Sequence, residues 1–92
     1  MMKVDVVLLT KNSNKPVLRL VLESLYKNVN VNRLIVVDGG STDGTVELLS
    51  KYPRVEIHYD ANGTRATSRE IGIKCVETEW FLFLDSDVVL CK

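Results

Sequence analysis

The sequence has few residues of the kinds that form crosslinks and structural metal centres. Its 92 residues include two cysteines, Cys75 and Cys91, without CxxC spacing, and a single histidine, His58. This set argues against a disulfide framework and against a structural zinc site. We therefore expect two reduced thiols, a structural or surface role for His58, and a reducing compartment, with the cytoplasm as the default location.

Net charge and long apolar runs are also missing. Twelve basic residues balance twelve acidic ones, so no overall field favours nucleic acid or a membrane surface. The longest apolar run, Trp80 to Leu84, has the length of a strand, whereas a membrane-spanning helix needs about 20 residues. The first ten residues, which carry Lys3 and Asp5, lack the pattern of a secretory signal. We predict no membrane span in this chain and no nucleic-acid partner.

The composition predicts one small folded domain covering residues 1–92. Hydrophobic residues make up 46% and charged residues 26%, as in ordinary globular proteins. Apolar periodicity predicts strands at 4–9, 34–37, 55–59 and 80–84, a further short strand at 88–90, and helices at 17–29, 45–52 and 64–76. Ser13 or Asn14 is the expected cap of the first helix.

Strands that alternate with helices of about ten residues indicate parallel pairing through right-handed crossovers. We expect a three-layer Rossmann-like sheet in the order 3-2-1-4, with helices on both faces. Ligands of such sheets bind beyond the carboxyl ends of the strands, where the strand order reverses. The first strand ends at Thr10-Lys-Asn12, the second at Asp38 and the fourth at Asp85. We therefore expect these three strand ends to surround one pocket.

The tripeptide Asp85-Ser-Asp87 follows the fourth strand directly. Two carboxylates at i and i+2 of an extended segment can lie on one side. Oxygen ligands of this kind suit Mg²⁺ or Mn²⁺ together with a phosphate, and such an ion would help a diphosphate to leave. Alone, the tripeptide is also typical of a solvated turn, but its position after a buried strand favours a metal site at Asp85 and Asp87.

Two further segments suit an anionic nucleotide. After the second strand, Asp38 offers an acceptor for a base N–H or a ribose hydroxyl, and Gly39 lets the backbone approach a ligand. This segment is neither a GxGxxG fingerprint nor a Walker A loop, and its polar residues also suit a helix cap. Arg65 and Arg69 share a helical face near a helix N-terminus, where phosphate binds readily, although surface ion pairing is the alternative.

Taken together, these segments resemble the inverting glycosyltransferase family 2, which has the GT-A fold. The matching stretches are Thr10-Lys-Asn12, Val37 to Thr45, Ser68 to Gly72 and Leu82 to Asp87, in the same order and spacing. The resemblance covers nearly the whole chain and corresponds to the N-terminal, nucleotide-binding half of the family domain.

The resemblance implies a nucleoside-diphosphate sugar as the ligand, usually a UDP-sugar, and an acceptor that the sequence does not identify. Thr10 and Asn12 would line the nucleotide pocket, and Asp38 would contact the base. Arg69 would lie near the diphosphate, while Asp85 would approach the ribose and Asp87 would hold the metal.

The sequence departs from the family pattern at two places. Glu70 stands where asparagine is common, and family members continue beyond Lys92 with an acceptor site and a carboxylate base. We therefore expect an incomplete or weakly active transferase when the chain is alone.

Other functions remain open on the sequence. A nucleotide-binding module without transfer would share the same pocket. Nucleotidyl transferases favour a glycine-rich basic loop after the first strand, and Thr10 to Asn14 has no glycine. A receiver-like interaction domain needs an acidic cluster after that strand, and Asp5 lies too early. An exposed sheet edge would also allow pairing with a second copy or another chain.

Overall fold

The computed structural model describes residues 3–85. Strands and helices alternate along this range: β1 (Val4–Thr10), α1 (Pro16–Asn28), β2 (Val31–Asp38), α2 (Thr45–Leu49), β3 (Val55–Tyr59), α3 (Arg65–Cys75) and β4 (Phe81–Asp85). The strand predicted at 88–90 lies outside the described residues, as do Asp87 and Cys91.

The four strands form one parallel sheet in the order β3-β2-β1-β4, which confirms the predicted order. The two inner strands, β1 and β2, carry continuous runs of buried aliphatic residues, as expected for strands covered on both faces. The register places Thr10 beside Asp38 and Leu9 beside Asp85. The carboxyl ends of β1, β2 and β4 therefore lie at one edge of the sheet.

One face of the sheet carries the main hydrophobic core. Val6 and Leu8 of β1 pack in one cluster with the buried stripe of α1 and with Leu48 and Leu49 of α2. The α1 stripe consists of Leu18, Val21, Leu22 and Leu25. Each fully buried leucine contributes about 1.5–3 kcal/mol relative to an exposed one, so these contacts hold α1 in place.

The opposite face of the sheet is covered by α3. Gly72 of α3 is buried, and a Cβ added there would lie 2.4 Å from Cγ1 of Val7. This glycine therefore lets α3 approach β1 closely. The side chains of Val6 and Val7 point to opposite faces, so the expected helices on both faces are confirmed. Within residues 3–85 no helix combines the length and apolar character needed to cross a bilayer.

Three local predictions differ from the structure. The second strand runs from Val31 to Asp38, whereas its apolar run predicted a strand at 34–37. The second helix ends at Leu49, whereas its pattern predicted an extension to Tyr52. The first helix begins at Pro16 after Lys15, with no side-chain cap, so the predicted caps at Ser13 and Asn14 are wrong. Proline at the first position lacks an N–H and reduces the need for a cap.

Candidate functional site

A cleft of about 400 Å³ opens at the carboxyl ends of β1 and β2. This volume lies within the range of about 300–1,000 Å³ that is usual for small-molecule sites. Its walls come from the loop after β1, the start of α1, the end of β2, the loop before α3 and the start of α3. The lining residues are Leu9, Thr10, Lys11, Asn12, Ser13, Lys15, Val17, Val37, Gly39, Asp60, Gly63, Thr64, Arg65 and Ser68.

Asp38 ends β2 as a fully buried carboxylate beside this cleft. Its Oδ1 accepts hydrogen bonds from the hydroxyls of Thr10 (2.7 Å) and Ser41 (2.6 Å). Its Oδ2 accepts from the backbone N–H groups of Gly40 (2.9 Å) and Ser41 (2.7 Å). Burial raises the pKa of Asp38, but the hydrogen bonds from Ser41, Thr10 and Gly40 outweigh it, and the net pKa is lowered. The carboxylate is therefore charged at neutral pH.

These bonds define what Asp38 can offer to a ligand. Each carboxylate oxygen already accepts two internal hydrogen bonds, and every donor is neutral. A ligand N–H would reach this carboxylate by replacing one donor, and the rotatable hydroxyl of Ser41 is the easiest to displace. Asp38 thus holds the β2–α2 loop in this structure, and its contact with a base stays a prediction.

Asn12 joins the loop after β1 to the loop after β2. Its backbone N–H donates to Ser41 Oγ at 2.7 Å, and its side-chain oxygen accepts from the N–H of Thr42 at 2.8 Å. Asn12 adopts φ of 48°, in the left-handed region that asparagine tolerates better than most residues. The left-handed backbone conformation directs both the N–H and the side-chain oxygen of Asn12 toward the loop after β2.

A second junction between the same loops is built around Asp43. Its carboxylate accepts from the backbone N–H of Asn14 at 3.0 Å and from the backbone and hydroxyl of Thr45. The Asn14 amide in turn donates to the Asp43 carbonyl at 2.7 Å, and the Ser13 N–H donates to Thr45 Oγ1 at 2.8 Å. The hydrogen bond from the Thr45 hydroxyl is the main cause of the lowered pKa of Asp43. Ser13 and Asn14 therefore stabilise the cleft loops.

The third wall is the turn before α3, which Asp60 organises. Asp60 donates its backbone N–H to the Asp38 carbonyl at 2.8 Å. Its carboxylate accepts from the hydroxyls of Thr67 (2.7 Å) and Ser68 (2.9 Å). Thr64 caps α3 in a reciprocal capping box with Thr67. Asp60 is a site residue that sequence reasoning missed, although its position directly after β3 is the signal that could have found it.

Positive charge concentrates in the cleft walls. Lys11, Lys15 and Arg65 all line the cleft. Of these, sequence reasoning selected only Arg65 and missed the two lysines, whose position in the polar loop after β1 was the available signal. Arg69, the second predicted arginine, lies with its guanidinium carbon 4.7 Å from the centre of the Phe83 ring on β4. Arg65 and Arg69 therefore have different surroundings despite sharing one helix.

The end of β4 meets the same edge of the sheet. Asp85 pairs with Leu9, one residue before Thr10, and Thr10 pairs with Asp38. Asp38 and Asp85 thus flank the end of β1 from either side, as the predicted convergence of three strand ends requires. Only the main chain of Asp85 is described, and Asp87 lies outside the described residues.

Comparisons with known proteins match this chain to glycosyltransferases. The model of the family described as Glycosyl transferase family 2 matches residues 5–91. A protein of Haemophilus influenzae described as an uncharacterized glycosyltransferase is 34% identical over 71 residues, which cover 72% of this chain and 27% of that protein.

Solved structures agree with the sequence relatives. A crystal structure of S. aureus TarS 1-349 superimposes with a TM-score of 0.83 at 31% identity, over 96% of this chain and 28% of that chain. Another crystal structure of S. aureus TarS gives a TM-score of 0.73 at 29% identity, over 94% of this chain and 17% of that chain. The chain thus spans 17–28% of the length of these relatives.

Proposed function

The chain belongs to glycosyl transferase family 2 and has a GT-A-type fold, and from this membership we propose that its cleft binds the nucleotide part of a nucleoside-diphosphate sugar. A UDP-sugar is the favoured donor, for glycosyl transfer to an acceptor whose identity is open. The proposal concerns donor binding first, because residues between Leu9 and Ser68 already form a cleft of suitable size.

The observation that carries this proposal is the charge of the cleft. Among the residues that the structure describes, its walls contain the cations Lys11, Lys15 and Arg65 and one carboxylate, Asp60. The Asp60 oxygen Oδ2 is already bound to two hydroxyls. A diphosphate would meet Arg65 at the start of α3, where the helix dipole also favours an anion, and Lys11 and Lys15 on the loop after β1. The net charge of the whole chain is zero, so the local concentration of cations is what favours such a ligand.

Individual roles follow from the positions of the predicted residues. Thr10 and Asn12 would line the nucleotide pocket, and Asp38 would accept a hydrogen bond from the base after release of the Ser41 hydroxyl. Gly39 is only half-buried in the wall, where a ligand can approach its backbone. Arg69 would lie near the diphosphate only after leaving the Phe83 ring, so we assign the principal phosphate contact to Arg65.

We further propose that Asp85 and Asp87 hold Mg²⁺ or Mn²⁺. Asp85 ends β4 beside Leu9, at the edge of the sheet where the cleft opens, and carboxylate oxygens are the ligands such ions prefer. When bound, the ion would neutralise charge on the leaving diphosphate. The cleft residues would meanwhile orient the nucleotide.

A second candidate function is donor binding without transfer. Inverting transfer needs a base that takes the proton of the acceptor hydroxyl. Among residues 3–85, the carboxylates of Asp38, Asp43 and Asp60 near the cleft all accept internal hydrogen bonds. We propose that the base lies outside this set, and a donor hydrolysis and transfer assay on the 92-residue chain separates the two functions.

Calorimetric titration of the chain with UDP in the presence of Mn²⁺ tests donor binding. We expect a dissociation constant between about 1 µM and 1 mM, and Arg65→Gln should weaken it about tenfold, or about 1.4 kcal/mol. Arg19→Gln is the matched control, because Arg19 is exposed on α1 and lies outside the cleft walls. Absence of UDP binding, or equal weakening by both variants, would contradict the proposal.

The metal assignment has its own titration. Asp87→Asn should reduce the gain in UDP affinity that Mn²⁺ provides, while metal-free UDP binding should change little. An unchanged dependence on Mn²⁺ would remove the assignment of Asp87 and leave the nucleotide cleft standing.

A further inference from the structure

A second group of side chains lies outside the nucleotide cleft, where β3 packs against the end of α3. Glu56 and His58 are two residues apart on β3, so their side chains project from the same face of the sheet. Cys75 is the last residue of α3, which covers that face. All three residues are half-buried, so their polar atoms remain reachable from solvent.

The three polar atoms converge on one point. His58 Nε2 lies 2.9 Å from Glu56 Oε2 and 3.4 Å from Cys75 Sγ. The three candidate ligand atoms all lie within 4.8 Å of one another. A histidine nitrogen carries either one proton or one lone pair, so Nε2 cannot both donate to the carboxylate and accept from the thiol. A protonated Nε2 can reach both the carboxylate and the sulfur only by sharing its proton in a weak three-centre bond, whereas one cation between the three atoms would bind all of them.

We propose that Glu56, His58 and Cys75 form a site for a divalent transition-metal ion, with Zn²⁺ the best match. A thiolate, an imidazole and a carboxylate form a ligand set that suits Zn²⁺ and does not suit Mg²⁺. Ligands at 2.0–2.3 Å in a tetrahedron lie about 3.3–3.8 Å apart. The observed separations need only small adjustments to reach that geometry, and water would fill the fourth position.

The surrounding charges favour a cation. Arg33 contacts Glu56 at 3.0 Å, but its guanidinium also contacts Asp5 at 3.3 Å and Glu77 at 3.1 Å. One positive and three negative side chains leave a formal local charge of −2 before the thiol ionises. The ionised thiol would add one more negative charge, which the metal would compensate.

Arg33 also orients two of the ligands. Its Nη1 lies 3.0 Å from Oε1 of Glu56, and Oε2 of the same carboxylate faces His58. Its Nη2 donates to the backbone carbonyl of Cys75. Partners that hold ligand groups in this way raise metal affinity in known sites. The ion would link β3 to the end of α3 and stabilise the fold without entering the nucleotide cleft.

Titration of the 92-residue chain with Co²⁺, followed by displacement with Zn²⁺, tests the site. Cobalt bound to a thiolate gives a near-ultraviolet charge-transfer band, which we expect in the wild type and in Cys91→Ser but not in Cys75→Ser. Zn²⁺ should remove the band, and a large excess of Mg²⁺ should not. Cys91 lies outside the described residues and serves as the matched cysteine control.

Zinc affinity gives a second readout that does not depend on cobalt. Cys75→Ser and His58→Gln should each weaken Zn²⁺ binding at least about tenfold, since losing a ligand costs no less than losing a supporting contact. Circular dichroism of both variants checks that they still fold. Absence of the thiolate band in the wild type, or equal zinc affinity in Cys75→Ser and Cys91→Ser, would overturn the proposal. Because the band reports a thiolate, its outcome is independent of the Asp85–Asp87 assignment.

Discussion

The two ends of the sheet hold buried carboxylates in different ways. At the carboxyl end of the strands, the donors to Asp38 among residues 3–85 are neutral hydroxyl and N–H groups. At the other end, the fully buried Asp5 of β1 contacts the guanidinium of Arg33 at 3.3 Å. The difference indicates that one end can exchange a donor for a ligand, whereas the other is fixed by a charge pair.

Hydrogen bonding keeps both carboxylates ionised. Burial raises the pKa of Asp5, but bonds from the Glu77 N–H, Asn32, Arg33 and the Thr78 N–H outweigh it, and its net pKa is lowered. For Asp38 the same balance is reached without any cation. Among residues 3–85, Asp38 is therefore a buried carboxylate held by neutral donors, whereas the charge of Asp5 is paired with Arg33.

The largest effect is expected from Asp5→Ala. This change removes the acceptor of the Glu77 N–H (2.7 Å) and the Asn32 amide (2.8 Å) and breaks the pair with Arg33. Breaking a buried pair costs about 3–5 kcal/mol, and this is an upper bound because Arg33 is partly exposed. Urea denaturation measures the change in unfolding free energy.

Glu70→Ala is the control for Asp5→Ala, because the exposed Glu70–Lys74 pair should contribute only about 0.3–0.5 kcal/mol. A loss below about 1 kcal/mol for Asp5→Ala would show that the charge pair does not fix this end of the sheet.

A smaller effect is expected at the cleft end from paired substitutions of Asn12. Asn12→Ala keeps a Cβ at a φ of 48° but loses the short polar side chain that makes this conformation tolerable, and it removes the acceptor of the Thr42 N–H, so it should cost about 1–2 kcal/mol. Asn12→Gly removes the same acceptor but relieves the backbone, so we expect it to cost less. Thermal denaturation of the two variants separates backbone strain from the side-chain bond. Equal losses of stability in the two variants would show that the hydrogen bond from the Thr42 N–H accounts for the whole effect.

The smallest effect on stability is expected from changing the pH between about 8 and 5. Asp5 and Asp38 both have lowered pKa values in the folded chain. Their contribution to folding stability is complete above the unfolded pKa of about 3.9 and is lost as the pH falls through the pKa values of the folded chain. Melting temperature should therefore be nearly flat from pH 8 to 5 and fall below about pH 4. A decline already at pH 6 would point to a different titrating group.

Local pattern was enough to predict the architecture. Runs of apolar residues such as Val6 to Leu8 and Leu34 to Val37 require burial on both faces, and that requirement dictates parallel strands with helical crossovers. Parallel strands place Thr10, Asp38 and Asp85 at one edge because their directions agree. Cap positions were less predictable, since Asn14 and Asp43 satisfy each other across two loops.

The sequence by itself was enough to predict the alternation of strands and helices, the family and the edge of the sheet where three strand ends meet, because periodicity, motifs and strand direction are properties of neighbouring residues. Only the tertiary structure separated Arg65 from Arg69 and placed Lys11, Lys15 and Asp60 in one cleft. It also brought His58 and Cys75 within 3.4 Å of each other, where their spacing in the sequence had argued against a zinc site. Contacts between residues far apart in the chain depend on how helices pack on the sheet, and no local pattern encodes that distance.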